Sequence, residues 1–169
     1  MQATALQATA LQETDVLRDS LRRALHGKAW HGASLGELLA GIDAAAAAAH
    51  PVPGAHSIWE IVLHVAGWQD AIARRVAGTG PERIEPDADW PPPLADGGEA
   101  EWRQALAALW AAEEALDLAL AGLPAERLDA PVATSQFDVR TTARGAVEHA
   151  LYHAGQVALL VRAMGREPV

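Results

Sequence analysis

Thr141-Thr-Ala-Arg-Gly-Ala-Val-Glu-His149-Ala-Leu-Tyr-His153-Ala-Gly-Gln156-Val-Ala-Leu-Leu160 reads as an amphipathic helix with two imidazoles in the middle of its inward face. At 100° per residue, His149 and His153 lie about 40° apart and one turn along the axis. Their Cβ atoms then stand roughly 5–6 Å apart. Thr142, Ala146, Gln156, Leu160 and Met164 fall on the same arc. An unsatisfied polar group on such a face costs about 1–3 kcal/mol. A divalent ion at about 2.0–2.1 Å from each ring would satisfy both. The pair alone is a modest signal, since two histidines at this spacing also arise by chance. The glutamate that follows the first histidine in H-E-x-x-H metalloproteases is missing, and Glu148 points about 100° away, which argues against that peptide hydrolysis. Gln156 can orient a ligand or a bound water, or serve as a plain interhelical amide.

Working backwards, the connector 123–139 separates this helix from another over about 98–122. Asp96 and Glu99 are placed to cap that helix, and Trp102, Leu106, Leu109, Trp110, Leu116 and Leu120 supply its apolar positions. Gly122-Leu-Pro124 stops it. Residues 78–95 carry Gly78, Gly80, Pro81, Pro86 and Trp90-Pro-Pro-Pro93, a long irregular connection that reads as functional or partner-contacting. Ser57-Ile-Trp-Glu60 is a capping box that opens a helix to about Ala77. On it His64 falls at the border of the apolar stripe, where a side chain reaches a groove between helices or lies half exposed. Trp59 and Trp68 are core or pocket wall.

Nearer the start, Ser34…Glu37 is another capping box, opening a short helix through Leu38, Leu39 and Ile42. The alanine run 43–50 continues that helix or forms a second. Thr4…Gln7 and Thr9…Gln12 both fit the capping pattern T-x-x-Q, so the first helix can begin at either. Its stable part is expected over about 10–26 with Leu17, Leu21, Ala24 and Leu25 inward, and residues 1–10 are expected to fray. Four long helices joined by long crossover connections, with no convincing strand period, give an all-α chain: one four-helix bundle domain over 1–169. Such bundles build metal sites from inward residues on facing helices.

Half of the 169 residues are apolar, alanine and leucine dominate, and cysteine is absent. The chain therefore has no thiolate ligand, disulfide or cysteine nucleophile. A formal charge of −9 argues against a nucleic-acid backbone as partner. No run approaches 18 apolar residues, and no secretory leader is evident, so the reading is a soluble, cytoplasmic protein without membrane partners. His64 gains weight as a ligand because an ion held by His149 and His153 needs a third, and catalytic zinc sites commonly use three protein ligands plus water. His56 reads as a hydrogen-bonding loop residue, and His26 and His50 as helix-end residues suited to the dipole. His31, Tyr152, Gln156 and Glu60 are the weaker candidates for catalytic roles; capping already accounts for Glu60.

His56-Ser-Ile-Trp-Glu-Ile-Val-Leu-His64-Val-Ala-Gly-Trp68, the last-helix phrase Tyr152-His153-Ala-Gly-Gln156, and the Trp30-His-Gly-Ala-Ser-Leu35 connector together resemble the DinB-like (DinB/YfiT) superfamily of metalloenzymes. The similarity covers roughly 12–165. It implies an up-down-down-up four-helix bundle and a divalent metal on three histidines, matching His64, His149 and His153. It also implies a spread of activities, including thiol-dependent S-transferases and a mycothiol-dependent isomerase, with some members resembling stress-induced proteins. The expected function is thus a metal-dependent enzyme, a thiol S-transferase or hydrolase, that activates a low-molecular-weight thiol or water against a small-molecule substrate. The alternative is a non-catalytic metal-binding stress-response protein. Imidazole suits several metals; zinc or nickel leads, with iron, manganese or copper as further candidates. Protons compete for the ligands, so affinity is expected to fall below about pH 6. A homodimer is expected from the small residues Gly145, Ala150, Ala154 and Gly155, with 90–93 as a partner surface.

Overall fold

A computed structural model describes residues 2–80, 83–92, 97–132 and 136–167. Seven α-helices occur among them: α1 (Gln2–His26), α2 (Leu35–Leu39), α3 (Ala44–Ala48), α4 (Ile58–Ala77), α5 (Pro86–Asp89), α6 (Glu99–Ala121) and α7 (Val139–Ala163). The long helices α1, α4, α6 and α7 form the all-α body. Helix α1 packs on α6 and α7, and α4 packs on the same two.

The helix starts follow the side-chain chemistry of the sequence. Ser34 and Ser57 each accept from the backbone N–H three residues on, while Glu37 and Glu60 reach back to the serine N–H at 2.8 and 2.7 Å. These two boxes satisfy amides that the first turn would otherwise leave bare. Asp43 and Asp138 cap α3 and α7 with single bonds of 2.8 and 2.7 Å. The alanine run is therefore a separate helix, α3, behind its own aspartate. Helix α6 departs from expectation: its cap is Gly98, whose N–H donates to Glu101 at 3.0 Å. Glu99 instead accepts from Ala44 N at 2.7 Å, tying α6 to α3, and Asp96 lies outside the described residues. Helix α1 begins at Gln2, ahead of both Thr4 and Thr9.

Leu17, Leu21, Ala24 and Leu25 are buried as their spacing requires, as are Trp102, Leu109, Leu116 and Leu120 from α6. Leu106 and Trp110 are only partly buried. The buried Trp102 Nε1–H donates to Ile42 O at 2.7 Å, so a large ring enters the core without stranding its polar atom. A side chain at Gly36 would meet Leu25 O at 2.6 Å; glycine there lets α2 dock on the end of α1. Helix α4 ends on Gly78 at φ +79°, where its N–H satisfies carbonyls of the last turn. The connection that follows is not wholly irregular. It holds α5, which packs back onto α4 and covers the middle of that helix.

Candidate metal centre

His64 comes from α4, and His149 and His153 from α7, two helices in direct contact. Their ligand atoms all lie within 4.8 Å of one another. His149 Nε2 stands 3.0 Å from His64 Nε2 and 3.1 Å from His153 Nε2. Nitrogens about 2.9–3.4 Å apart are what two imidazoles subtend when both bind one ion at 2.0–2.1 Å with angles between 90° and 110°.

The outer ring nitrogens fix the proton positions. His64 Nδ1 lies 2.6 Å from Asp89 O, and His153 Nδ1 lies 2.7 Å from Gln156 Oε1. A carbonyl oxygen only accepts, so each Nδ1 carries the hydrogen and each Nε2 presents a lone pair. His149 Nε2 can hold at most one hydrogen and aim it at one neighbour. The other short contact would then oppose two lone pairs. One cation among the three nitrogens removes that conflict, and histidine ligands backed by carbonyl acceptors are the usual arrangement around a metal. The donor set therefore fits a divalent ion. His149 Nδ1 is buried without a hydrogen-bond partner among the described residues.

Burial is what keeps these rings neutral. The His149 pKa is lowered from 6.5 to about 4, by desolvation first and then by the neighbouring His153 and His64. Desolvation also lowers His64 against the opposing pull of the Asp89 carbonyl and charge, and lowers His153 against its bond to Gln156. His64 is only 5% exposed, although its helical angle placed it at the edge of the stripe. The cover is the α5 segment. Trp90 stacks flat on His64 at 3.8 Å between ring centroids, and His56 stacks on the other face of Trp90 at 3.6 Å. Asp89 accepts from Trp68 Nε1–H at 2.6 Å while its backbone oxygen holds His64.

Asp89 and Trp90 thus belong to the site, which sequence reasoning did not assign individually. The one available signal was the unusual Trp90-Pro-Pro-Pro93 run. Trp90 is partly buried, with its ring against His64. His56, read as a loop residue, is the outer layer of the stack and lies 3.5 Å from Glu60.

The weaker candidates scatter. Gln156 stands at the site as the partner of His153. The exposed Tyr152 ring lies 5.0 Å from His153, centroid to centroid. Glu60 is engaged by Ser57 and by His50 at 3.2 Å, away from the three rings. His31 is exposed and lines a different groove, with Leu38, Leu151, Gly155 and Arg162. His26 pairs with Glu113 at 3.1 Å.

An all-α body whose facing helices bring three imidazoles together is compatible with metal binding. The chain belongs to the DinB superfamily, which residues 29–157 match. No curated protein and no solved structure matches it. Among the described residues, no helix is long and apolar enough to cross a membrane.

Proposed function

We propose that the protein is a metal-dependent enzyme that uses a thiol or water as nucleophile against a small molecule. The observation that carries this reading is the meeting of three imidazole nitrogens with two outer nitrogens already committed to carbonyls. A divalent ion on His64, His149 and His153 would supply Lewis acidity, which makes water or a thiol acidic enough to ionise near neutral pH. Three neutral ligands leave the ion its full charge, favouring an anionic nucleophile. Asp89 O and Gln156 Oε1 hold the protons at Nδ1 of His64 and His153, keeping their lone pairs inward. Trp90 excludes water from one face of His64. Zinc or nickel is the proposed ion.

Family membership favours thiol transfer, whereas hydrolysis needs no cosubstrate. The separating assay presents zinc- and nickel-loaded protein with a chlorinated nitroaromatic, with and without low-molecular-weight thiols, and with simple esters and amides. Thiol-dependent turnover lost in His149→Ala supports transfer; thiol-independent turnover supports hydrolysis. Silence in both panels, together with a metal lacking exchangeable water, replaces the reading with a non-catalytic metal-binding role. A homodimer is also proposed, though Ala150 and Ala154 are buried within the chain's own core. Gly145 and Gly155, with nothing within 4 Å of a built Cβ, remain open to a second copy. Sedimentation as a monomer at micromolar concentration removes that proposal.

A further inference from the structure

Beside the three histidines, a pocket of about 310 Å³ lies between the 52–56 turn and α7, with Val52, Ala55, His56, Gln156, Leu159 and Leu160 among its walls. Its volume is at the small end of the range for small-molecule sites, and apolar walls with a few polar groups are their usual make-up. Two polar side chains enter that wall, and each leads to a ligand of the metal centre. Gln156 gives its oxygen to His153, which leaves the two N–H donors of the same amide for another partner. His56 stacks on Trp90, and Trp90 on His64. No carboxylate, lysine or arginine lines the pocket. Val52 and Leu159 are 39% and 64% exposed, so large apolar surface stands in water at its rim. Exposed apolar surface gathered at a concavity marks a binding site more often than scattered exposed residues do.

We propose that this pocket is the substrate subsite for an uncharged apolar arm, with a hydrogen-bond acceptor beside that arm taken by the Gln156 amide. The proposal rests on the functional reading above only in calling the bound molecule a substrate. A wall without carboxylate, lysine or arginine selects against charge on the arm, because an ion there would lose its hydration and gain no permanently charged partner. The acceptor, by contrast, meets a donor next to the metal centre. The substrate class is therefore a neutral amide, ester or similar carbonyl compound bearing an alkyl or aryl group.

The test uses the zinc-loaded 169-residue chain and N-alkylacetamides from methyl to hexyl, titrated by ligand-observed NMR. Affinity is expected to rise by about fourfold per methylene until the pocket is filled. 6-Acetamidohexanoate, with a carboxylate at the arm's tip, should lose that gain. Leu159→Glu should flatten the series. Leu118→Glu, the same charge change at a residue 63% exposed on α6, should leave the series intact. Val52→Asp serves as a second pocket variant, and far-UV circular dichroism verifies that each variant is folded. A flat series in wild type, or an unchanged one in both folded pocket variants, overturns the proposal. Zinc content is measured on the same samples. A chain-length dependence that persists in protein unable to hold zinc breaks the functional reading and leaves the pocket standing.

Discussion

His26, Trp110 and Glu113 gather where α1 meets α6, and His64, Trp90 and Asp89 gather against α4, each group a histidine, a tryptophan and an acidic residue. In the first group the histidine side chain is 45% exposed, its Nε2 meets a carboxylate at 3.1 Å, and its ring lies 5.1 Å from Trp110. Arg18, Arg22 and Asp117 share the same open groove. Water reaches the His26 ring there, and exposed ion pairs contribute about 0–1 kcal/mol. In the second group the tryptophan lies flat on the imidazole, a backbone carbonyl fixes its outer nitrogen, and two more imidazoles face its inner one. The difference is not composition. A metal centre needs several lone pairs converging where water has been removed.

The largest expected effect follows directly. His149→Ala should reduce bound metal from about one ion per chain to near zero, because His149 Nε2 stands against both other imidazole nitrogens. The loss should exceed the roughly 10–100-fold carried by outer hydrogen-bond partners. His26→Ala should leave metal content unchanged. Elemental analysis of dialysed, tag-free protein reads both. Helicity should survive, since alanine is the better helix former. Equal metal in both variants would erase the contrast between the two groups.

Much of the three-histidine cluster was legible because it depends on local period. His149 and His153 share an arc by helical geometry alone, and Ser57 with Glu60 fixes where α4 begins and so where His64 points. Non-local cover was not legible. Nothing in the 78–95 composition states that α5 folds back on α4, or that Asp89 offers its carbonyl to His64 at 2.6 Å with its carboxylate 3.3 Å from the same nitrogen. The α6 cap failed for a related reason: Glu99 was recruited across space by Ala44, leaving Glu101 to bond Gly98. Capping patterns report what is available within one turn, and tertiary neighbours can outbid it.

The outer partners provide the next effect. Gln156→Ala should weaken metal binding by roughly 10–100-fold, since His153 loses the acceptor that fixes its tautomer and ring orientation. Gln156→Glu keeps an oxygen for Nδ1 and should recover most of the loss. Glu113→Ala, which strips the corresponding acceptor from His26, should do nothing. Competition against a chromogenic chelator measures all three.

Acid separates the two groups more gently. The His149 pKa falls from 6.5 to about 4 on folding, so between those values the unfolded chain binds more protons than the folded one. Stability from this source is complete above about pH 6.5 and drains away as pH drops towards 4. The metal-free protein should therefore melt several degrees lower at pH 5 than at pH 7, and His149→Gln should flatten that dependence. The same burial delays proton competition, so metal release should come at lower pH than the value near 6 expected for ordinary imidazoles. Calorimetry and metal content across a pH series measure the two effects. A profile unaltered by His149→Gln would show that other groups control the acid response.

The smallest effect isolates the tryptophans. Trp90 contacts no donor nitrogen in a way that would hold an ion, yet it seals one face of His64 and is itself held by His56. An aromatic pair of this kind contributes about 0.5–1.5 kcal/mol beyond the area it buries, equivalent to roughly two- to tenfold in a rate. Trp90→Ala should therefore leave one ion bound per chain while metal dissociates that much faster, as the unsealed His64 ring gains freedom and water reaches it. Trp90→Phe keeps a flat ring and should restore most of the slow release. Trp110→Ala, beside His26, should change neither number. Stopped-flow transfer of metal to an excess of chelator gives the rates. If Trp90→Ala empties the site altogether, the α5 segment builds the centre and does not merely cover it; if the rate stays the same, burial of His64 depends on α4 and α7 alone.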